Sequence, residues 1–172
     1  MLIRRVRLVL VVVTLVVLQT TVFPHQRIFG AAPDLLLVAT AAMAYEEGPE
    51  SGAVFGFVSG LVLDLFLASP LGLSALSFAL TGYLLGVFQG GMMREARSMA
   101  PILGFVGGLV GGTIFVVVGG IAGQSGYFSL TSVRIIIVAA LYDAVVSFAV
   151  FPFVRWANRD PDGDYRRTRG YR

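Results

Sequence analysis

Residues 33–72 read PDLLLVATAAMAYEEGPESGAVFGFVSGLVLDLFLASPLG, and the number of times this stretch crosses an apolar layer sets the topology of the whole chain. It holds two apolar runs, at about 34–45 and 51–68, with Glu46-Glu47-Gly48-Pro49-Glu50 between them and Ser69-Pro70-Leu71-Gly72 after them. Gly48-Pro49 and Pro70-Leu71-Gly72 are turn chemistry. Pro33 stands where a first-turn proline is tolerated, and Asp34 suits the positive end of the helix that follows. A crossing helix needs roughly 20 apolar residues. The second run of the pair nearly meets this; the first is short, and by length alone it also suits a re-entrant segment.

Outward from this stretch, further apolar runs lie at about 8–23, 71–88, 99–123 and 133–154. Arginine placement decides between five crossings and six. If the short run crosses (a second span at about 33–45) and the N-terminus is inside, eleven Arg residues fall on the cytoplasmic side and two, Arg27 and Arg134, outside. If it does not cross, the best arrangement is nine against four, so the positive-inside rule favours six spans with both termini cytoplasmic. The expected fold is an all-α membrane protein, a compact bundle of six transmembrane helices over 1–156. A basic, disordered cytoplasmic tail is expected over 157–172, where no apolar face remains to bury.

Composition agrees. Of 172 residues, 56% are hydrophobic and 13% charged, with a mean hydropathy of +0.83. A soluble domain carries about a quarter charged residues. There is no cysteine, which excludes disulfides, thiolate catalysis and Cys-ligated metals. The net charge of +3 does not signal nucleic acid, because the arginines lie at chain ends and between apolar runs and build no basic face. Arg4, Arg5 and Arg7 before a Leu/Val run imitate a secretory signal, but no small-x-small cleavage site follows and five further apolar runs do.

Glycine is the conspicuous residue. Gly52, Gly56 and Gly60 lie four apart, as do Gly82, Gly86 and Gly90, and Gly104, Gly108 and Gly112. That spacing puts each trio on one helix face, where a missing side chain admits another backbone. The face serves either packing within the chain or docking of a partner's helix. Asp64 and Asp143 sit within apolar runs, where an ionisable group points to function by default. Asp64 is about five residues from the outer end of its span, within reach of the interface, and Asp143 lies nearer the middle. Each serves either a structural role, such as a protonated acid bonded across helices, or a partner or ligand. Arg134, nine residues from Asp143 and so about 13 Å along a helix, is too far to pair with it. His25 is a lone loop histidine; no HExxH, GxSxG or GxxxxGK[ST] pattern occurs, so no catalytic, metal or cofactor site is expected. Glu46, Glu47 and Glu50 make an acidic cytoplasmic turn, either solvated or facing a basic partner.

Pro33-Asp34-Leu35-Leu36-Leu37-Val38, Glu47-Gly48-Pro49-Glu50-Ser51-Gly52-Ala53, Gly56-Phe57, Gly60-Leu61-Val62-Leu63-Asp64-Leu65 and Ser69-Pro70-Leu71-Gly72-Leu73-Ser74-Ala75-Leu76 together resemble the rod shape-determining MreD family. The resemblance covers roughly 33–90 and implies a non-enzymatic scaffold or regulator of the cell-elongation machinery in the bacterial cytoplasmic membrane. By the same resemblance its partner is the bitopic protein MreC (transmembrane and adjacent segment), with MreB and peptidoglycan synthases engaged indirectly. Partner-binding residues are then expected at Gly52, Gly56, Gly60, Asp64, Ser69, Pro70, Leu71 and Gly72. The family is also similar in fold to the substrate-binding S-components of energy-coupling-factor vitamin transporters. That supplies an alternative, a small-molecule site built from outer groups such as Asp64, Ser69, Gln124, Ser125, Tyr127 and Arg134.

Overall fold

The computed structural model describes residues 2–22, 30–67, 70–89, 99–123 and 129–159, and these hold six α-helices and no β-strand. They are α1 (Leu2–Thr21), α2 (Leu35–Glu47), α3 (Pro49–Asp64), α4 (Leu73–Gln89), α5 (Met99–Ile121) and α6 (Leu130–Asn158). Each expected run corresponds to one helix. The end helices run past their apolar stretches: α1 takes in Arg4, Arg5 and Arg7, and α6 continues to Asn158. Ala157, expected to open the disordered tail, is instead fully buried, and Asn158 accepts a hydrogen bond from Arg4 Nε at 2.9 Å. His25, Arg27, Ser69, Gly90, Arg94, Arg97, Gln124, Ser125, Tyr127 and residues 160–172 lie outside the described residues.

Among the described residues, α5 and α6 are the two helices long and apolar enough to cross a membrane. Helix α4 is apolar over Leu73–Phe88 but shorter, α2 and α3 have 13 and 16 residues, and α1 carries three arginines.

The short helix is the centre of the bundle. Every residue of α2 from Leu35 to Tyr45 is buried, and the helix packs against each of the other five. A helix that is apolar all round has no face to give to solvent and belongs inside. Its joint with α3 is a single residue: Gly48 N–H closes α2 on the Ala44 carbonyl at 2.9 Å. Gly48 adopts φ +93°, which favours glycine, and Pro49 starts α3 at once.

Glycines set the closest approaches. A Cβ built on Gly56 would lie 2.5 Å from the Phe78 carbonyl oxygen, one on Gly60 2.6 Å from that of Ser74, and one on Gly52 2.9 Å from that of Gly82. Gly82 and Gly86 meet α3 backbone in return, at Gly52 and Pro49. Helices α3 and α4 therefore touch backbone to backbone, the small-residue packing that holds helices together where apolar contact alone gives little preference. The α5–α6 pair repeats it: a Cβ on Gly104 would lie 2.6 Å from the Asp143 carbonyl oxygen, and one on Gly108 2.7 Å from Ala140 Cα.

Polarity is distributed inside out. Thr40, Ser59, Ser74, Ser77, Thr81 and Ser147 are buried, while Val54, Phe57, Val58, Leu84, Val87, Phe88, Val145 and Phe148 face outward. Most of the buried hydroxyls are satisfied within their own helices, such as Thr40 Oγ1 to Leu36 O at 2.8 Å and Thr81 Oγ1 to Ser77 O at 2.7 Å.

The glycine contacts carry a prediction. Gly56→Leu must push the α4 backbone away, and the expected cost is about 3 kcal/mol or more, against near-neutrality for the outward-facing Val54→Leu. Thermal unfolding of the two variants in mild detergent checks this; equal melting of both would exclude the backbone contact.

Candidate functional site

The glycine face expected to accept a partner's helix is already occupied. Gly52, Gly56 and Gly60 are buried against α4 and, at Gly52 and Gly56, against Ala44 and Thr40 of α2. As an open groove this face does not exist in the folded chain.

Asp64 is likewise turned inward, not to the interface, with 2% of its surface exposed. Its Oδ2 accepts from the backbone N–H of Gly72 at 2.8 Å and of Ala75 at 3.3 Å, and its Oδ1 from that of Ser74 at 3.2 Å. These are orphan donors at the start of α4, and a carboxylate is the preferred group at that positive helix end. Gly72 turns the chain at φ +95°, with open space around it, so its role is conformational. Pro70 and Leu71 are exposed at the same turn, and Ser69 lies outside the described residues. The α3–α4 turn is thus a capped corner with an apolar tip.

A second polar cluster lies at the start of α2, and sequence reasoning missed how it assembles. Asp34 caps α2: its Oδ1 accepts from Leu37 N–H at 3.1 Å and from Gln19 Nε2 at 3.0 Å. Gln19 Oε1 accepts from Leu36 N–H at 3.2 Å, so two side chains serve one helix terminus. The Asp34 N–H in turn donates to Asp143 Oδ1 at 2.7 Å, tying α2 to the middle of α6. Asp143, 1% exposed, has this backbone group as its partner rather than any arginine; Arg134 stands exposed.

Because α2 spans about 20 Å and begins beside Asp143, α5 and α6 continue past its end. A cavity of about 390 Å³ is left there, floored by Gln19, Asp34 and Asp143 and lined by Ser74, Phe78, Phe115, Ile136 and neighbours. Asp64 does not line it.

A larger cavity, about 560 Å³, runs between α1 and α3 over the α2 side chain Met43. Leu8, Val9, Val12 and Val13 form one wall and Val54, Val58 and Val62 the other. Glu47, Glu50 and Ser51 form its polar end. The acidic turn is partly paired within the chain: Glu47 with Arg4, and Glu46 with Arg155 at 3.3 Å. Glu50 forms no ion pair among the described residues. Arg7 lies over the Trp156 ring at 5.2 Å, so α1 and α6 are clasped at the same end. No group of His, Asp and Glu suited to a metal occurs among the described residues.

The chain was compared with known proteins. A family model described as rod shape-determining protein MreD matches residues 2–157. No curated protein and no solved structure matches.

Asp64→Ala leaves three backbone donors at the α4 terminus without their acceptor. The expected loss is about 1–3 kcal/mol of stability, read as a lower melting temperature, with Asp64→Asn intermediate because one amide oxygen still accepts. An unchanged melting temperature for Asp64→Ala would remove the cap from the account.

Proposed function

The chain belongs to the rod shape-determining MreD family, and from that premise we propose that it is a non-enzymatic scaffold of the cell-elongation machinery that holds the transmembrane helix of MreC in the groove between α1 and α3. Family membership ties it to rod-shape determination and to the membrane. In this reading all six helices cross or enter the bacterial cytoplasmic membrane, with both termini cytoplasmic. The outward Val, Leu and Phe side chains of α3, α4 and α6 support that placement, as does the arginine asymmetry. Through MreC the chain engages MreB and peptidoglycan synthases indirectly.

The observation that carries the docking site is the pairing of an apolar trough with an acid at one end, Glu50, that forms no ion pair among the described residues. A single-span partner with a cytoplasmic N-terminus carries Lys or Arg at the inner end of its span, as the positive-inside rule requires. Laid between α1 and α3, such a helix covers Val9, Val13, Val54 and Val58 and brings its basic flank to Glu50. This is helix-in-groove recognition, with charge setting direction and register. It replaces the glycine face, which α4 fills. The Pro70-Leu71-Gly72 corner, with Leu71 70% exposed, remains available at the other end for the segment of MreC adjacent to its span.

Co-purification from native cells in mild detergent tests this. Val58→Trp fills the trough and is expected to reduce MreC recovery tenfold or more, while Val145→Trp on the outer face of α6 leaves it unchanged. Glu50→Arg is expected to reduce recovery about threefold to tenfold, the effect of one charge contact near a membrane surface. A Val58→Trp protein that melts normally and still recovers MreC in full would place the partner elsewhere.

A further inference from the structure

We propose that the cavity beyond the start of α2 binds a small amphiphilic amine, with an ammonium group on the Asp34–Asp143 floor and an apolar body between α3, α5 and α6. This site is separate from the α1–α3 groove and does not depend on it.

The cavity exists because a 13-residue helix stands among longer ones, so it is a product of chain geometry and not of loose packing. Its volume of about 390 Å³ falls within the roughly 300–1,000 Å³ of small-molecule sites. Leu63, Leu67, Phe115, Val116, Ile135 and Ile136 supply apolar walls. Its acidic groups, Asp34 and Asp143, lie at the floor beside Gln19, and Ser74 and Ser132 are the other polar side chains of the lining. Asp143 is almost wholly buried and lines the cavity, yet its Oδ2 accepts no hydrogen bond among the described residues; only Oδ1 is engaged, by the Asp34 N–H. An acceptor with unused lone pairs beside a cavity can take a donor there.

The chemistry selects the ligand. The Asp34 and Asp143 side chains both line the cavity, Asp143 tied to the backbone N–H of Asp34, and among the described residues no arginine lines it to offset them. An anion brings no donor to this acceptor, and a neutral apolar molecule leaves Asp143 Oδ2 unmet. A protonated amine supplies both donor and opposite charge, and a charge-assisted bond in an apolar surround is the stronger kind. Gly108 keeps this oxygen accessible: a Cβ there would lie 2.6 Å from Asp143 Oδ2. The amine comes either from an aminophospholipid headgroup or from a water-soluble molecule.

The test is titration of the full chain in phosphatidylcholine nanodiscs with n-octylamine, empty nanodiscs being subtracted, beside n-octyltrimethylammonium (charge, no N–H) and n-octanol (donor, no charge). Saturable binding of octylamine is expected, at least tenfold tighter than that of the other two and weakened at least tenfold by Asp143→Asn. Ala139→Leu, which narrows the cavity with both carboxylates intact, is expected to abolish it and decides the matter if Asp143→Asn does not fold. Repeating the titration with half the lipid replaced by phosphatidylethanolamine separates the sources. Loss of the octylamine signal assigns the site to the lipid headgroup, and an unchanged signal to a soluble amine. Equal binding of octylamine, octyltrimethylammonium and octanol would overturn the proposal, as would wild-type affinity in a folded Ala139→Leu.

Discussion

Everything in this bundle is arranged around a helix that cannot face outward. Helix α2 is buried on all sides from Leu35 to Tyr45, so five other helices must enclose it, and it is too short to reach both ends of its enclosure. Its burial fixes where its backbone groups must be satisfied. Gln19 and Asp34 meet the donors at its start, and Gly48 hands its end directly to α3. Its shortness leaves the cavity. One constraint thus places the core, the polar cluster and the open volume together.

Glycine makes the enclosure tight. In a setting where apolar surface has little preference for itself over lipid, close backbone approach is the available source of cohesion. The chain uses it in two antiparallel pairs, α3 with α4 and α5 with α6. The wide seam is the other one, where α1 meets α3. There Leu8, Val12, Val54 and Val58 keep the backbones apart, and no glycine of the three trios lies along it. Helix α3 is thus anchored on one face by α4 and borders the open groove on the other. The arginines of α1 and α6, joined to Glu46, Glu47, Asn158 and Trp156, hold the acidic end of that seam.

The buried carboxylates divide by what surrounds them. Asp64 is fully engaged by three backbone donors and belongs to the turn it caps. Asp143 is half engaged and borders open volume. By residue type and apolar flanks the two looked alike; hydrogen-bond accounting separates a structural acid from one poised for a ligand.

The sequence by itself determined the elements and their local chemistry. Apolar run lengths gave six helices, four-residue glycine spacing gave their contact faces, and Pro33-Asp34, Gly48-Pro49 and Pro70-Leu71-Gly72 gave their ends. All of these depend on residues within a turn or two of one another, and local geometry is periodic enough to read. Only the tertiary structure decided what each face meets. A glycine face signals that some backbone approaches without saying whose, so Gly52, Gly56 and Gly60 admit a partner's helix as well as packing within the chain, and it is α4 that fills the face. The Asp34–Asp143 bond joins residues 109 positions apart, and Gln19, Asp34 and Asp143 carry no shared motif. One signal did stand in the sequence: a run too short for its neighbours must leave space at one end. What lines that space depends on the depth and rotation of four other helices, which close packing in three dimensions settles and one-dimensional periodicity does not.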